Sequence, residues 1–373
     1  MSSDPRPSLR AACRRDRRVY TRSHPLLFAL LAAVRRRPVV RLGRAVLVNG
    51  TGAYRHALTR IPLNRTAAGT TGGAARELSG GGLLFDQEGA GHRDARRGLA
   101  EELGAAGVER LRPVWREVLT RRLAPLGAGD EVDLVPLARE LAGASVRALL
   151  DTEADTSALA SAAADAAAAA VRDHLPGPRR PGAARAAAGA TARLEALLAD
   201  GGNGDAALRA MLAVAAVNTT VAALPRAAAW CADAGLWAEA ADDRLRPALV
   251  SELLRVTAPS PLLPRVAAAD GVVGGCPVRA GDRLILVARH AVGAHSDPPD
   301  ARRPAGPALS QLVFGAGAHA CPGARLARAQ LDDTLAALAP YRPTVVRSRA
   351  DRHAALPGWR SLTVRATTTS GEL

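Results

Sequence analysis

Lysine is absent from this chain of 373 residues, so arginine supplies all 50 of its basic side chains. Aromatic residues are also scarce, at 3% of the sequence. A net charge of +15 would suit a nucleic-acid-binding protein, but such proteins cluster their cations and stack bases on aromatic rings. Here the arginines are spread along the chain, and we predict no nucleic-acid partner. The charge favours a docking surface for an acidic partner protein.

Closely spaced cysteines are absent as well. The sequence has four cysteines and no C-x-x-C pair; they are Cys13, Cys231, Cys276 and Cys321. Structural zinc sites and disulfide-rich domains need cysteines at short or regular spacings. The spacing therefore indicates neither a zinc site nor a disulfide framework, and each cysteine has to be considered alone.

Long apolar runs are missing near the N-terminus, where the longest is Pro25–Val34. This run is too short to span a bilayer. The arginines at positions 14–18 precede it as they would in a secretion signal. The alternative is an amphipathic helix with Arg35, Arg36 and Arg37 at its C-terminal end, where cations interact favourably with the helix dipole. Because a strand pattern follows directly, we predict a helix in a cytoplasmic protein with no membrane partner.

Helical patterns dominate the rest of the chain. We predict one domain over residues 1–373, mainly α with a minor β part, whose residues 1–37 are partly disordered. Helices are expected at 92–126, 132–151, 204–233 and 240–256, and as two alanine-rich helices within 156–200. Strands are expected at 39–43 and 45–50 and in a small sheet at 265–290, with a long loop at 63–84.

The segment Phe314–Gly323 has the most specific pattern of the chain, F-G-x-G-x-H-x-C-x-G. Residues 324–331 follow it and are strong helix formers without a breaker. The glycines at 315, 317 and 323 allow a tight turn and bring backbone N–H groups close to the cysteine. We therefore predict a turn that holds one cysteine immediately before a helix.

Cys321 at the start of this helix lies where the helix dipole stabilises a thiolate. A lone thiolate in such a turn is how a protein provides a sulfur axial ligand for haem iron. Phe314 would shield the sulfur from water, and His319 could reach a haem propionate. The alternative is a buried structural cysteine in a loop. The aromatic residue, the glycines and the helix occur in register, which favours the iron ligand.

The pattern resembles the cysteine-ligand loop of the cytochrome P450 family. The resemblance implies a P450 fold and haem b, with Cys321 as the axial thiolate and Gly315 and Gly323 in the haem-binding loop. It also implies dioxygen as a reactant. Electrons would come from a ferredoxin and a ferredoxin reductase.

A second motif supports the resemblance. Glu252 and Arg255 form an E-x-x-R that lies 66 residues before Cys321, similar to the spacing in the family. Their i,i+3 spacing places both side chains on one helix face, where they can pair. In the family this pair locks its helix to a loop before the cysteine turn, usually with a further arginine. Arg302 or Arg303 could take that third place.

Two buried haem carboxylates would need convergent cations, and arginine offers bidentate contacts. His92 and Arg96 match the family's H-x-x-x-R, whose side chains bind the haem propionates. Arg265 stands where the family often carries another propionate-binding arginine, and His319 would complete the set. The alternative for each is a solvated surface charge.

The segment Ala215–Thr220 differs from the family pattern, which is roughly A-G-x-(D/E)-T-(T/S). Thr219 aligns with the threonine that steers protons during oxygen activation. Asn218 occupies the position of the acid, and it can form hydrogen bonds but cannot titrate. The alternative is that Thr219 and Thr220 bond only to their own helix.

The resemblance as a whole implies a haem-thiolate monooxygenase that oxidises a small, non-polar specialised metabolite, either free or carrier-bound. Asn218 leaves a different outcome open, such as desaturation, ring closure or oxidative coupling. A third alternative is a non-catalytic haem-binding protein that recruits a partner. The intact Cys321, Thr219 and E-x-x-R pair argue against it.

Overall fold

Helices make up most of the chain in the computed structural model, which describes residues 8–64, 66–70, 72–73, 76, 87, 89–174, 182–199 and 206–367. The helices of its first half are α1 (Leu9–Ser23), α2 (Pro25–Val34), α3 (Thr51–Thr59), α4 (Gly89–Leu103), α5 (Ala105–Gly127), α6 (Leu134–Leu149), α7 (Thr156–His174) and α8 (Ala183–Leu198). Those of its second half are α9 (Ala206–Ala234), α10 (Trp237–Ala241), α11 (Arg246–Thr257), α12 (Ala288–Ala291), α13 (Pro307–Ser310) and α14 (Ala324–Leu338).

The described strands form sheets of five, three and two strands. They are β1 (Val39–Leu42), β2 (Ala45–Val48), β3 (Leu63–Asn64), β4 (Glu131–Asp133), β5 (Leu263–Ala267), β6 (Gly271–Val273), β7 (Cys276–Val278), β8 (Arg283–Leu286), β9 (Thr344–Ala350) and β10 (Trp359–Arg365). The largest sheet has the order β1-β2-β8-β5-β3, in which β2 and β8 run parallel and pair Val46 with Leu284. The chain thus returns after more than 230 residues to complete a sheet that begins near its N-terminus.

Helix α9 is the central element of the fold and packs against α1, α6, α7, α8 and α11. Its small side chains let these neighbours approach closely, and Ala213, Ala227 and Ala228 are almost completely buried. The helix is long and apolar enough to cross a membrane by length and composition. Half of the residues in its most apolar 18-residue segment are buried within the protein. It is also the helix that carries Asn218 and Thr219.

The structure has the helix-rich fold with a minor β part that the sequence predicts, and it corrects several boundaries. The single helix expected at 92–126 is wrong, since Gly104 separates α4 from α5. A Cβ at Gly104 would lie 2.4 Å from the carbonyl oxygen of Ala100, so this close turn admits only glycine. The helix expected at 132–151 begins with β4, and the loop expected at 63–84 begins with β3.

Residues 175–181, between α7 and α8, and residues 77–84 of the expected loop lie outside the described residues. Within the range 1–37, for which partial disorder is expected, α1 and α2 are both helical. Pro25 stands at the first position of α2, where its missing N–H costs no hydrogen bond.

A buried cluster of charges fastens α1 to the centre of the fold. Arg226 on α9 donates to Oδ1 of Asp16 at 2.7 Å and to the hydroxyl of Tyr20 at 2.6 Å. The guanidinium of Arg289 lies 3.9 Å from the centre of the Tyr20 ring and also reaches Asp16. Because Asp16 and Arg226 are both more than nine-tenths buried, removal of Asp16 would leave the charge of Arg226 uncompensated.

We expect Asp16→Ala to lower the free energy of unfolding by about 3–5 kcal/mol, because it strands the buried Arg226. Asp165→Ala is the matched control, since Asp165 pairs with Arg193 at a site where both side chains are more than half exposed. That change should cost less than about 1 kcal/mol. Urea unfolding followed by circular dichroism measures both. Equal costs for the two variants would show that the buried cluster does not stabilise the fold.

Candidate functional site

The cysteine turn lies between two short 3₁₀ helices and α14. The 3₁₀ helices span Gln311–Phe314 and Gly317–His319. Gly315 and Gly317 have φ of +79° and +73°, a backbone region that side chains with a Cβ rarely adopt. These two glycines therefore serve the tight turn that the sequence predicts. Gly323 has a φ of −82° and needs no glycine on conformational grounds.

Cys321 is held by both ends of this turn. Its N–H donates to the carbonyl oxygen of Phe314 at 2.8 Å. Gly323 caps α14, and a Cβ there would lie 3.9 Å from the Cys321 sulfur, so the turn brings this backbone close to the sulfur. The cysteine thus stands directly before a helix N-terminus, as predicted, where backbone N–H groups and the helix dipole favour an anion.

The electrostatics of the thiol are a balance of opposing effects. Cys321 is exposed as a residue, yet the protein packed around its sulfur raises the thiol pKa by desolvation. The N–H of Gly323 and the positive charges of Arg96 and Arg328 act in the opposite direction and lower this pKa. Desolvation is the largest of these effects, so the pKa of the thiol is raised on balance, and the N–H and the two arginines offset the rise only in part.

Both arginines near the sulfur are fixed by contacts of their own. Arg96 on α4 donates to the carbonyl oxygen of Ala320 at 2.6 Å and so binds the turn itself. Arg328 on α14 donates to Gln311 at 2.9 Å, and its guanidinium lies 4.5 Å from the centre of the half-buried Phe314 ring. Arg96 thus contacts the turn next to Cys321, and Arg328 contacts the residues that lead into it.

The predicted propionate-binding histidines lie together. The rings of His92 on α4 and His319 in the turn have their centres 4.0 Å apart. His92 is buried, with 3% of its surface exposed. The H-x-x-x-R motif of α4 and the histidine of the cysteine loop thus meet at one place, although they are separated by more than 220 residues.

Arg265 is half-buried on β5, and its positive charge acts on the hydroxyl of Tyr54. Tyr54 is fully buried on α3, and its hydroxyl has no hydrogen-bond partner among the described residues. Burial raises the pKa of this phenol, so the group is a neutral donor. A buried donor without an acceptor, beside an arginine, suits an anionic group of a bound cofactor. A lone cysteine held before a helix N-terminus and these donors together fit a haem with its carboxylates.

The E-x-x-R pair has the anchoring role that the resemblance implies. Arg255 donates to both carboxylate oxygens of Glu252, and both side chains are 2% exposed or less. Arg255 also reaches the carbonyl oxygens of Val292, Gly293, Asp297 and Pro298. Glu252 accepts from the main-chain N–H groups of Asp300 and Ala305. The pair therefore holds the loop that leads to the cysteine turn.

The third arginine of this motif is a prediction that the structure corrects. The guanidinium of Arg303 is 90% exposed and pairs with Asp300. Arg302 is exposed and donates its main-chain N–H to the same carboxylate. Main-chain N–H groups take the place that a third guanidinium would fill beside Glu252, since a carboxylate accepts from either kind of donor.

Thr219 and Asn218 lie in an unbroken stretch of α9. The Thr219 hydroxyl donates to the carbonyl oxygen of Ala215 at 2.8 Å, within its own helix. Asn218 donates to the carbonyl oxygen of Val214 at 2.8 Å and to that of Ala163 on α7 at 3.4 Å. Asn218 therefore links α9 to α7 at the position where the family pattern has an acid.

Sequence reasoning missed three residues of this region. Tyr54 and Arg328 belong to no motif, although Arg328 lies seven residues after Cys321, on the helix that follows the cysteine turn. Gln330 is buried and donates to Ser145 at 2.9 Å, while Thr220 donates to its side-chain oxygen at 3.3 Å. These contacts join α6, α9 and α14, and only the folded chain brings their partners together.

Known proteins resemble segments of this chain, although no family model matches it. A segment of 98 residues is 41% identical to the erythromycin C-12 hydroxylase of Saccharopolyspora erythraea, over 25% of this chain and 24% of that protein. A segment of 108 residues is 41% identical to the vitamin D3 dihydroxylase of Streptomyces griseolus, over 28% and 27%. Another of 108 residues is 37% identical to the mycocyclosin synthase of Mycobacterium tuberculosis, over 27% and 26%. The matches thus span about a quarter of the length of these curated relatives.

Solved structures match nearly the whole chain. The open form of cytochrome P450 EryK from S. erythraea has a TM-score of 0.72 and 24% identity, over 94% of this chain and 98% of that one. P450BioI, in complex with an acyl carrier protein ligated to hexadec-9Z-enoic acid, has a TM-score of 0.74 and 18% identity, over 93% and 99%. These similarities show that the chain has the P450 fold and, taken with the cysteine turn, support its assignment to the bacterial cytochromes P450, with haem as the cofactor.

Proposed function

We propose that the protein is a haem-thiolate monooxygenase that oxidises a small, non-polar metabolite with dioxygen. The observation that carries this proposal is the Cys321 turn, in which glycines at positive φ hold a lone cysteine directly before a helix N-terminus and Arg96 binds the neighbouring carbonyl. Haem, when bound, supplies one-electron and dioxygen chemistry, and a thiolate ligand favours O–O cleavage. Cys321 would be the iron ligand, and Phe314 and the glycines would hold it in place.

The cations around the turn would bind and orient the cofactor's carboxylates. His92, His319 and Arg96 lie on one side, where the two imidazole rings are in contact. Arg265 lies on β5 with the buried Tyr54 hydroxyl beside it. Separate donor groups on α4, on β5 and in the turn would hold a planar cofactor in one orientation, since arginine and histidine bind carboxylates directionally.

On α9, Thr219 would hold and pass a proton toward the reacting oxygen. Its hydroxyl now donates within the helix, but a hydroxyl can rotate and also has free acceptor capacity. Asn218 cannot supply a proton at this position. Its amide would instead hold α7 beside α9, through the bond to Ala163.

The substrate class follows from the residue types of the helices around Thr219. Helices α7, α8 and α9 are rich in small apolar residues, and the side chains that face one another between them include Ala166, Leu194, Met211 and Val214, together with the polar Thr191 and Glu195. A binding surface built from such helices would favour an apolar substrate. The similarity to an erythromycin hydroxylase supports a specialised metabolite. A carrier-bound substrate is the variant suggested by the fold shared with P450BioI, whose structure includes an acyl carrier protein.

Electrons would come from a separate ferredoxin and its reductase in the cytoplasm. The excess of arginine over acidic residues supports an acidic protein as the donor.

A second candidate function is a reaction without oxygen insertion, such as desaturation, ring closure or oxidative coupling. Asn218 in place of the acid favours this candidate, because proton delivery to oxygen lacks its usual titratable group.

The ligand assignment predicts that Cys321→Ala loses the thiolate-type Soret absorption of the haem-loaded protein. Cys276→Ala, at a half-buried cysteine of β7, is the control and should keep the wild-type spectrum. Circular dichroism confirms that both variants are folded. A thiolate-type spectrum in Cys321→Ala would rule out this cysteine as the ligand.

Thr219→Ala should reduce coupled product formation by roughly tenfold or more, because a positioned proton donor is lost. Hydrogen peroxide released per electron consumed should rise accordingly. Thr120→Ala is the control, since Thr120 on α5 also donates within its helix but is exposed. Unchanged coupling in Thr219→Ala would mean that another group steers the proton.

Isotopically labelled dioxygen separates the candidate functions. Substrates are first found by titrating the Soret band with a panel that begins with erythromycin-type macrolactones and vitamin D3. A monooxygenase should place one labelled oxygen atom in each product molecule. Product without label would favour desaturation or coupling. No dioxygen consumption with any ferredoxin and ligand would favour a non-catalytic haem-binding protein.

A further inference from the structure

Helix α2 has an apolar face that the described part of the chain leaves uncovered. We call it the α2 outer face; its residues are all exposed and are Pro25, Leu26, Ala29, Leu30 and Ala33. Leu26 is 86% exposed and Leu30 is 50% exposed. The opposite face is packed into the protein, where Leu31 is buried in a cluster with Leu47 and Val287. The helix is therefore docked on one side and apolar on the other.

Arginines stand at both ends of this face. Arg22 precedes the helix, and Arg35, Arg36 and Arg37 follow it. All four are exposed, and within the described chain none of them forms an ion pair with a carboxylate. A helix of this length is about 15 Å long, so the arginines border the apolar face closely.

The surrounding sequence has an unusual charge distribution. Between Asp16 and Glu77 there are twelve arginines and no acidic residue. Asp16 itself is buried and bound to Arg226, so it does not neutralise the surface. This part of the protein therefore presents positive charge together with exposed leucine, and its partner should be both anionic and able to accept apolar side chains.

We propose that the α2 outer face docks on an anionic lipid bilayer, with α2 lying in the membrane interface. A helix with an apolar face and flanking arginines binds such an interface through two weak contributions, burial of apolar side chains and attraction to lipid headgroups. The proposal revises the expectation, drawn from the sequence, that the protein has no membrane partner. It is independent of the proposed reaction.

The size of the patch favours a bilayer over an acidic protein. A face about 15 Å long and 10 Å wide offers on the order of 150 Å². A stable protein interface buries about 800 Å² on each partner and needs a complementary pocket for projecting side chains such as Leu26. The boundary between headgroups and acyl chains accepts isolated side chains without such a pocket.

Sedimentation with sucrose-loaded vesicles tests the proposal on the full-length, haem-loaded protein. Vesicles of one part phosphatidylserine to two parts phosphatidylcholine should bind it, and more weakly at high salt. Vesicles of phosphatidylcholine alone should bind it at least about tenfold more weakly, since the arginines then have no anionic partner. Equal binding to both compositions would overturn the proposal.

Substitutions separate the two contributions. Leu26→Ser with Leu30→Ser should weaken binding to the anionic vesicles by about tenfold or more. The matched control is Val272→Ser with Val346→Ser, at exposed apolar residues elsewhere on the surface. The control should bind as the wild type does. If it weakens binding as much as the leucine variant does, the α2 outer face is not the docking site.

The charge contribution has its own pair of variants. Replacing Arg22, Arg36 and Arg37 by Gln should weaken binding by about tenfold or more. Arg35 is left in place, because its charge acts on the half-buried His290 and on the exposed His295. The control removes the same net charge at exposed arginines far along the sequence, by replacing Arg244, Arg352 and Arg360 with Gln. If the wild-type protein stays in the supernatant with anionic vesicles, the α2 outer face does not dock on a bilayer.

Discussion

The buried ion pair of Glu252 and Arg255 is the constraint on which the site depends. A buried carboxylate and guanidinium are stable only when their remaining hydrogen-bonding capacity is also satisfied. Here that capacity is taken up by main-chain groups of the loop from Val292 to Ala305. Since this loop leads into the cysteine turn, the pair fixes the starting point from which Cys321 is placed against α14.

Guanidinium groups also pack where other proteins would use contacts between aromatic rings. With so few aromatic residues, the fold brings guanidinium groups onto the rings that it has: Arg226 and Arg289 onto Tyr20, and Arg328 onto Phe314. Alanine fills most of the remaining space around α9, so helices approach closely where large side chains would hold them apart. Arginine thus supplies both charge and packing volume in this chain.

Local patterns predicted the elements and the cysteine turn well, because a helix or a glycine turn depends on neighbouring residues. The α-helical class, α2, the β1–β2 pair and the glycines at 315 and 317 follow from such patterns. Contacts between distant segments could not be predicted in this way. The bond from Asn218 to Ala163, the donors on Glu252 and the orphan hydroxyl of Tyr54 each depend on the three-dimensional approach of another element.

Arginine as the only basic side chain has a consequence for regulation. A guanidinium stays protonated throughout the physiological range, and it is not a substrate for acylation at a side-chain amine. The contacts of Arg226 with Asp16 and of Arg112 with Asp333 therefore cannot be weakened by acetylation or by deprotonation of the cation. The positive charge of its arginines is therefore insensitive to physiological pH, and a pH-dependent change of charge has to come from other groups such as its histidines.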